Sequence, residues 1–210
     1  MALALRDELL ARGYSVVMIR ETNEVDISNV ERAQVANRHN AAAFIRIHAN
    51  GWENDEMKGA MTVCQTANNP YPDCAAAYAA SYRLSEKILD AYCAATGISR
   101  RSIWETDSKA GTNWSAVPTT ILEMGFMSNR EDDLRMEEDG FAKQAAKGVA
   151  EGLDAFFGPL QQSRLSRRCP NGHHTNFYLP VVFNEVKYSL QGTTQGRYLT
   201  GGVPPVRFSM

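Results

Sequence analysis

Short runs of strand-forming residues alternate with helix-length segments over the first 157 residues, and this alternation most restricts what the chain can fold into. Ala2, Leu5 and Leu9 fall on one stripe, with Arg6, Asp7 and Arg12 elsewhere, which predicts a helix over 2–12 stopped by Gly13. The β-rich run from Tyr14 to Ile19 predicts a buried strand. Ser28 followed by Glu31 is a capping box and predicts a helix over about 29–40. Strands are predicted at 43–48 and 59–65, and the alanine-rich run from Cys74 to Thr96, closed by Gly97, predicts a long helix. The run from Thr119 to Met124 reads as a strand ending at Gly125, and Ser128 with Glu131 reads as a second capping box opening a short acidic helix. Phe141, Ala145, Val149, Leu153 and Phe157 recur every four residues, so a last helix is predicted over about 140–157. The whole is an α/β chain: a mostly parallel twisted sheet with helices on both faces.

After Gly158-Pro159 the character changes. Residues 158–210 are first polar and basic, then rich in turn formers, and read as a loosely ordered, irregular tail of unknown role with at most a few short strands. The net charge of -2 generates no field that would attract nucleic acid. The apolar start, Met1 to Leu5, is closed by Arg6, Asp7 and Glu8, so it is not a secretory signal, and no apolar run approaches the roughly 20 residues of a membrane span. The chain as given is therefore expected to stay in the cytoplasm. Cys64, Cys74, Cys93 and Cys169 form no CxxC pair; a Cys64–Cys74 disulfide is conceivable, but buried free thiols are the favoured reading.

In open α/β sheets ligands bind at the carboxyl ends of the strands. Two polar residues stand at predicted strand ends, His48 and Glu123. A histidine there is either a structural residue or an imidazole turned into the crevice as a metal ligand. A glutamate after a run of strand formers is costly to bury; it is either paired with an arginine or a base of raised pKa. The residues alone leave both alternatives open.

Five segments in order resemble the zinc-type N-acetylmuramoyl-L-alanine amidases. They are Gly13-Tyr-Ser-Val16 leading to Ile19-Arg20, Arg32-Ala-Gln-Val-Ala-Asn37, Arg46-Ile-His-Ala-Asn50, Asn113-Trp-Ser-Ala-Val-Pro118, and Leu122-Glu-Met-Gly-Phe-Met-Ser-Asn129. Together they span about residues 1–157, the amidase-like catalytic domain. The resemblance implies a hydrolase that cuts the amide between the lactyl group of N-acetylmuramic acid and the L-alanine of the stem peptide. It implies Zn2+ as cofactor, His48 as a zinc ligand and Glu123 as the catalytic glutamate. Asn50 would lie beside the metal, and Asn113 with Trp114 would line the substrate groove. Arg32 and Asn37 are read as structural. The implied partner is peptidoglycan, with no nucleic acid and no membrane span, and a full-length parent is expected outside the cell or in the cell wall.

The sequence departs from the family in three places. The family's first strand, ending in D-P-G-H-G with the first zinc-ligating histidine, is not found, nor is the glutamate that opens the next helix as second ligand. The first strand should be central or nearly so, so the sheet is expected to lack a strand and to expose strand edges. The serine of the family's S-I-H is Arg46 here. His39, and the segment from Cys169 to His173 and His174, are the remaining candidate ligands. The reading from another functional class is a non-catalytic peptidoglycan-binding or regulatory relic. An unrelated α/β hydrolase is disfavoured because neither a G-x-S-x-G elbow nor a phosphate-binding glycine loop is present.

Overall fold

The computed structural model describes residues 1–22, 25–109, 112–158 and the strand 180–186. The elements follow in the order α1 (Ala2–Ala11), β1 (Ser15–Met18), α2 (Asn29–Arg38), β2 (Ala43–Asn50), β3 (Ala60–Cys64), α3 (Pro72–Thr96), β4 (Arg100–Glu105), β5 (Thr119–Phe126), α4 (Arg130–Glu137), α5 (Phe141–Phe157) and β6 (Pro180–Val186). The strands form one sheet in the order β1-β6-β2-β5-β3-β4. Every pair is parallel except β3 with β5.

Helices cover both faces. Against one face, Leu5 and Leu9 of α1, Leu84, Ile88 and Leu89 of α3, and Val149 and Leu153 of α5 pack on Ala43, Ile45, Ile47, Leu122 and Val181. Against the other, Ala33 and Ala36 of α2 pack on Phe44 with Val17 and Val117 at the margin. Cover on both sides explains why Ala43 to His48 are all buried, as a central parallel strand requires.

The main layer is drawn tight at two points. A Cβ built on Gly148 would stand 2.8 Å from Ala95 Cβ, and one on Gly152 would stand 2.7 Å from Ile88 Cα. The backbones of α3 and α5 therefore touch, which only glycine permits. At the other end of α5, Asp154 accepts hydrogen bonds from Tyr14 Oη at 2.6 Å and from Arg12 Nη1 at 2.5 Å, tying the α1–β1 turn to the last helix. Burial, and then this carboxylate, push the Tyr14 phenol well above its ordinary value.

Three differences from the sequence reading have local physical reasons. β4 was not foreseen: Arg-Arg-Ser-Ile-Trp-Glu is charged and mostly exposed because it is the edge strand, where such residues are tolerated. The cap of α4 is Asn129, not Ser128; Asn129 Oδ1 accepts from the amides of Glu131 and Asp132, while Ser128 Oγ accepts from Trp52 N. The position beside β2, expected to be vacant, is held by β6. Pro180 to Phe183 lie in register with Ser15 to Met18, and Val181 to Val186 with Ala43 to His48. Cys64 and Cys74 are free and buried.

Candidate active site

Side chains alternate across a strand, so Phe44, Arg46 and His48 share the α2 face of β2 while Ile45 and Ile47 enter the main core. On β5, Leu122 likewise enters the main core, which leaves Ile121 and Glu123 on the face of His48. His48 and Glu123 are in direct register on adjacent parallel strands, whose backbones lie about 4.8 Å apart. One pair down, Arg46 is in register with Ile121. The structure thus brings together the histidine and glutamate that the sequence singled out, toward the carboxyl ends of their strands.

The electrostatics are one-sided. His48 is 5% exposed, and its pKa is held well below 6.5, first by burial and then by Arg46, Arg32, Lys109 and Arg20, so the imidazole is neutral. Burial pushes the Glu123 carboxyl up to about 7, partly offset by Lys109 and then Arg46. The Glu123 Oε2 atom is buried and has no hydrogen-bond partner among the described residues. A desolvated carboxyl poised near neutrality can both take and return a proton. Arg46, where the family has serine, is itself buried and donates from Nη2 to Asn29 Oδ1 at 2.8 Å.

Just beyond the pair the ladder slips, and Asn50 pairs with Phe126, a bulge of the kind that re-aims side chains at sites. Asn50 stands two residues past His48 on the strand; its Oδ1 accepts from Gly51 N, and its Nδ2 faces Met61 Sδ at 3.8 Å. The rim is fastened by Asp132, a buried carboxylate whose Oδ2 accepts from Gly59 N at 2.7 Å and Phe126 N at 2.9 Å. This accounts for the glycine after Glu123-Met124. A Cβ on Gly125 would sit 3.2 Å from the same Oδ2. Asp132 was missed by sequence reading because nothing local marks it; its partners lie 73 and 6 residues away.

Asn113 and Trp114 lie elsewhere, ahead of the amino end of β5 rather than beside Glu123. Asn113 Nδ2 donates to Asp107 O at 2.5 Å, and its Oδ1 accepts from Asn69 Nδ2 at 3.0 Å. Trp114 stacks on Tyr71 at 4.8 Å, and its carbonyl is held by Asn37, whose Oδ1 also receives Ala116 N. Asn37 is thus the loop clamp that a structural reading expects, as is Arg32, which donates to Ile27 O. His39 is exposed at the end of α2, and Cys169, His173 and His174 lie outside the described residues.

Residues 1–155 match the family model described as N-acetylmuramoyl-L-alanine amidase. The chain belongs to this family. The N-acetylmuramoyl-L-alanine amidase LytC of Bacillus subtilis (strain 168) is 26% identical over 150 residues, which are 71% of this chain and 28% of that protein. The chain therefore spans little more than a quarter of the length of the curated relative it matches. Among solved structures, the catalytic domain of the amidase CwlV from Bacillus (Paenibacillus) polymyxa var. colistinus superposes with a TM-score of 0.64 at 23% identity, covering 74% of this chain and 80% of that one. The amidase Ami1 of Mycobacterium smegmatis gives 0.67 at 24%, covering 75% and 73%. At these identities the likeness to the solved structures is one of fold. In this member of the amidase family, however, the described residues do not fit a complete zinc centre. No three or more histidines, cysteines or acidic residues converge among them.

Proposed function

We propose that the chain hydrolyses the amide between N-acetylmuramic acid and the L-alanine of the peptidoglycan stem peptide, and that it derives from a protein acting in the cell wall. The observation that carries this reading is the His48–Glu123 pair: in register, at the carboxyl ends of neighbouring strands, with one carboxyl oxygen buried and its pKa pushed to about 7. Glu123 takes a proton from the attacking water and returns it to the departing L-alanine amine, so one residue is base and then acid. Neutral His48 presents an imidazole nitrogen beside it, and Asn50, one turn of the pleat further, flanks the opening. Asn113 acts at a distance, by fixing the loop that leads into β5. Zinc dependence is the family's property, and His48 is the described residue suited to be one ligand; the further ligands are not among the described residues.

Purified peptidoglycan incubated with the chain should gain new L-alanine amino termini, and Glu123→Gln should abolish them. The zinc content after dialysis against a weak chelator decides the cofactor. About one zinc per chain, lost on His48→Ala, supports the metalloenzyme. No zinc, with peptidoglycan bound but no new amino termini, replaces this reading by that of a non-catalytic peptidoglycan-binding relic. No helix among the described residues is long and apolar enough to cross a membrane.

A further inference from the structure

We infer that the exposed ring pair Tyr71–Trp114, at the end of the sheet remote from Glu123, is a sugar-stacking platform that anchors the chain on the glycan strands of peptidoglycan. This rests on the peptidoglycan reading above and adds a second contact with the polymer, separate from the bond that is cut.

The sheet places the pair. β3 runs antiparallel to β5, with Val63 in register with Ile121, so the segment after β3 and the segment before β5 emerge at the same end. Tyr71 lies on the first and Trp114 on the second. Thr119, where β5 begins, is four residues from Glu123, roughly 13 Å. Trp114 precedes Thr119 on the side away from Glu123. The two rings lie 4.8 Å apart with 39° between their planes, and they are 39% and 41% exposed. Stacked aromatic rings left this open mark a surface that binds something.

The pair is mounted on a common frame. Tyr71 stands between Pro70 and Pro72, and its backbone is extended at φ -96° and ψ 113°, as a residue ahead of proline prefers. Asn69, which is buried, accepts from Tyr71 N at 2.9 Å and donates to Asn113 Oδ1 at 3.0 Å and Asp107 Oδ1 at 2.7 Å. Asn113 directly precedes Trp114, and its carbonyl accepts from Cys74 Sγ of α3 at 2.9 Å. Asn37 Nδ2 donates to the Trp114 carbonyl at 2.9 Å. The rings therefore meet a ligand already ordered, which lowers the cost of binding.

Shape and charge select the ligand. A pyranose offers a face of C–H bonds to an aromatic ring and its hydroxyl and acetamido groups to flanking polar side chains; Asn68 and Asp73 are exposed on either side of Tyr71 in sequence. Asp107 in the frame and Asp73 in the first helical turn are both anionic, which disfavours a nucleic acid whose bases would stack on the same rings. α3 continues the row. Tyr78 lies seven residues beyond Tyr71, two turns on and on the same side, about 10 Å along the axis. That separation is comparable to the length of one disaccharide repeat. The Tyr78 ring lies 6.1 Å from that of Tyr82, which is also exposed. Aromatic rings in a row at this spacing fit an extended glycan.

The test is binding of a peptide-free N-acetylglucosamine tetramer by the full chain, followed by calorimetry and by proton–nitrogen NMR of the tryptophan indoles. The Trp114 indole signal should shift on titration, and those of Trp52 and Trp104 should not. Trp114→Ala and Tyr71→Ala should each weaken binding by about tenfold, and Trp114→Phe should retain most of it. Thermal melts establish that each variant is folded, and the indole shift needs no variant at all. A wild type that does not bind the tetramer overturns the inference, as does a shift confined to Trp52 or Trp104, or affinity unchanged in both alanine variants. Tetramer binding at Trp114 without release of L-alanine amino termini from peptidoglycan supports the platform and refutes the cleavage reading. Release without tetramer binding overturns the platform alone.

Discussion

β6 gives the most demanding test of the fold. Its position is interior: Val182 lies in register with Val17 of β1 on one side and Phe44 of β2 on the other. Whichever neighbour its amide faces, Val182→Pro removes a ladder hydrogen bond and leaves a buried carbonyl unpaired, at about 1–3 kcal/mol. If β6 leaves the sheet, the burial of Val181, which is fully enclosed, is lost as well, at about 1.5–3 kcal/mol. The expected total is about 2.5–6 kcal/mol, a large share of the roughly 5–15 kcal/mol that holds a domain folded. Glu185 pairs with Ile47 of β2 and lies past the end of the β1 ladder, so Glu185→Pro should cost less than Val182→Pro. Urea unfolding followed by far-UV circular dichroism gives both values. A Val182→Pro midpoint within about 0.5 kcal/mol of the wild type, or the two variants in the reverse order, refutes the interior placement of this strand.

Two further outcomes follow from the core and the site. Gly152→Ala forces a methyl against Ile88 Cα across the α3–α5 contact and should destabilise the chain by about 1–3 kcal/mol, read as a fall in melting temperature without loss of secondary structure. Glu123 has a carboxyl pKa raised from 4.5 to about 7, so its ionisation opposes folding: stability is fullest below pH 4.5 and declines as pH rises through 7, by up to about 3 kcal/mol. His48, with its pKa depressed, acts in the opposite sense and loses stability as pH falls below 6.5. The gain of Glu123→Gln over the wild type should therefore grow between pH 5 and pH 8 in urea titrations with chelator present, and a pH-independent difference would contradict the burial argument.

The legible parts of this molecule are those whose cause is local. α1, α2, α3 and α5 follow from apolar spacing, the Ser28–Glu31 box and the Gly97 stop, all within a few residues. The structure makes the same box that the sequence shows, with Ser28 Oγ accepting from Glu31 N and Glu31 accepting from Ser28 N. β4 was illegible because an edge strand needs no apolar alternation, and β6 because its position depends on a gap between β1 and β2, which are far away in sequence. The Asn129 cap was misplaced by one residue because Ser128 is equally suited by type; only the distant Trp52 amide claims it.

The same division runs through the site. His48 and Glu123 could be found because polar residues at the ends of apolar runs stand out, and the sheet then places them together by register alone. The contacts that fix the surrounding loops are non-local. Asp132 reaches Gly59, Asn37 reaches Trp114 and Ala116, and Thr66 and Asn69 both reach Asp107, across 38 to 79 residues of sequence. The cationic surroundings are equally non-local: Arg20, Arg32, Arg46 and Lys109 come from separate segments, and only folding turns four unremarkable charges into one field. Arg46 puts a buried cation on the His48 face, where, after burial itself, it disfavours protonation of the histidine. If Arg46 is the cause, Arg46→Ser should raise the pKa of His48, seen by NMR titration of its ring protons, and should strengthen zinc binding in the same variant. A rise in neither would leave burial, the larger cause, as sufficient to hold the imidazole neutral.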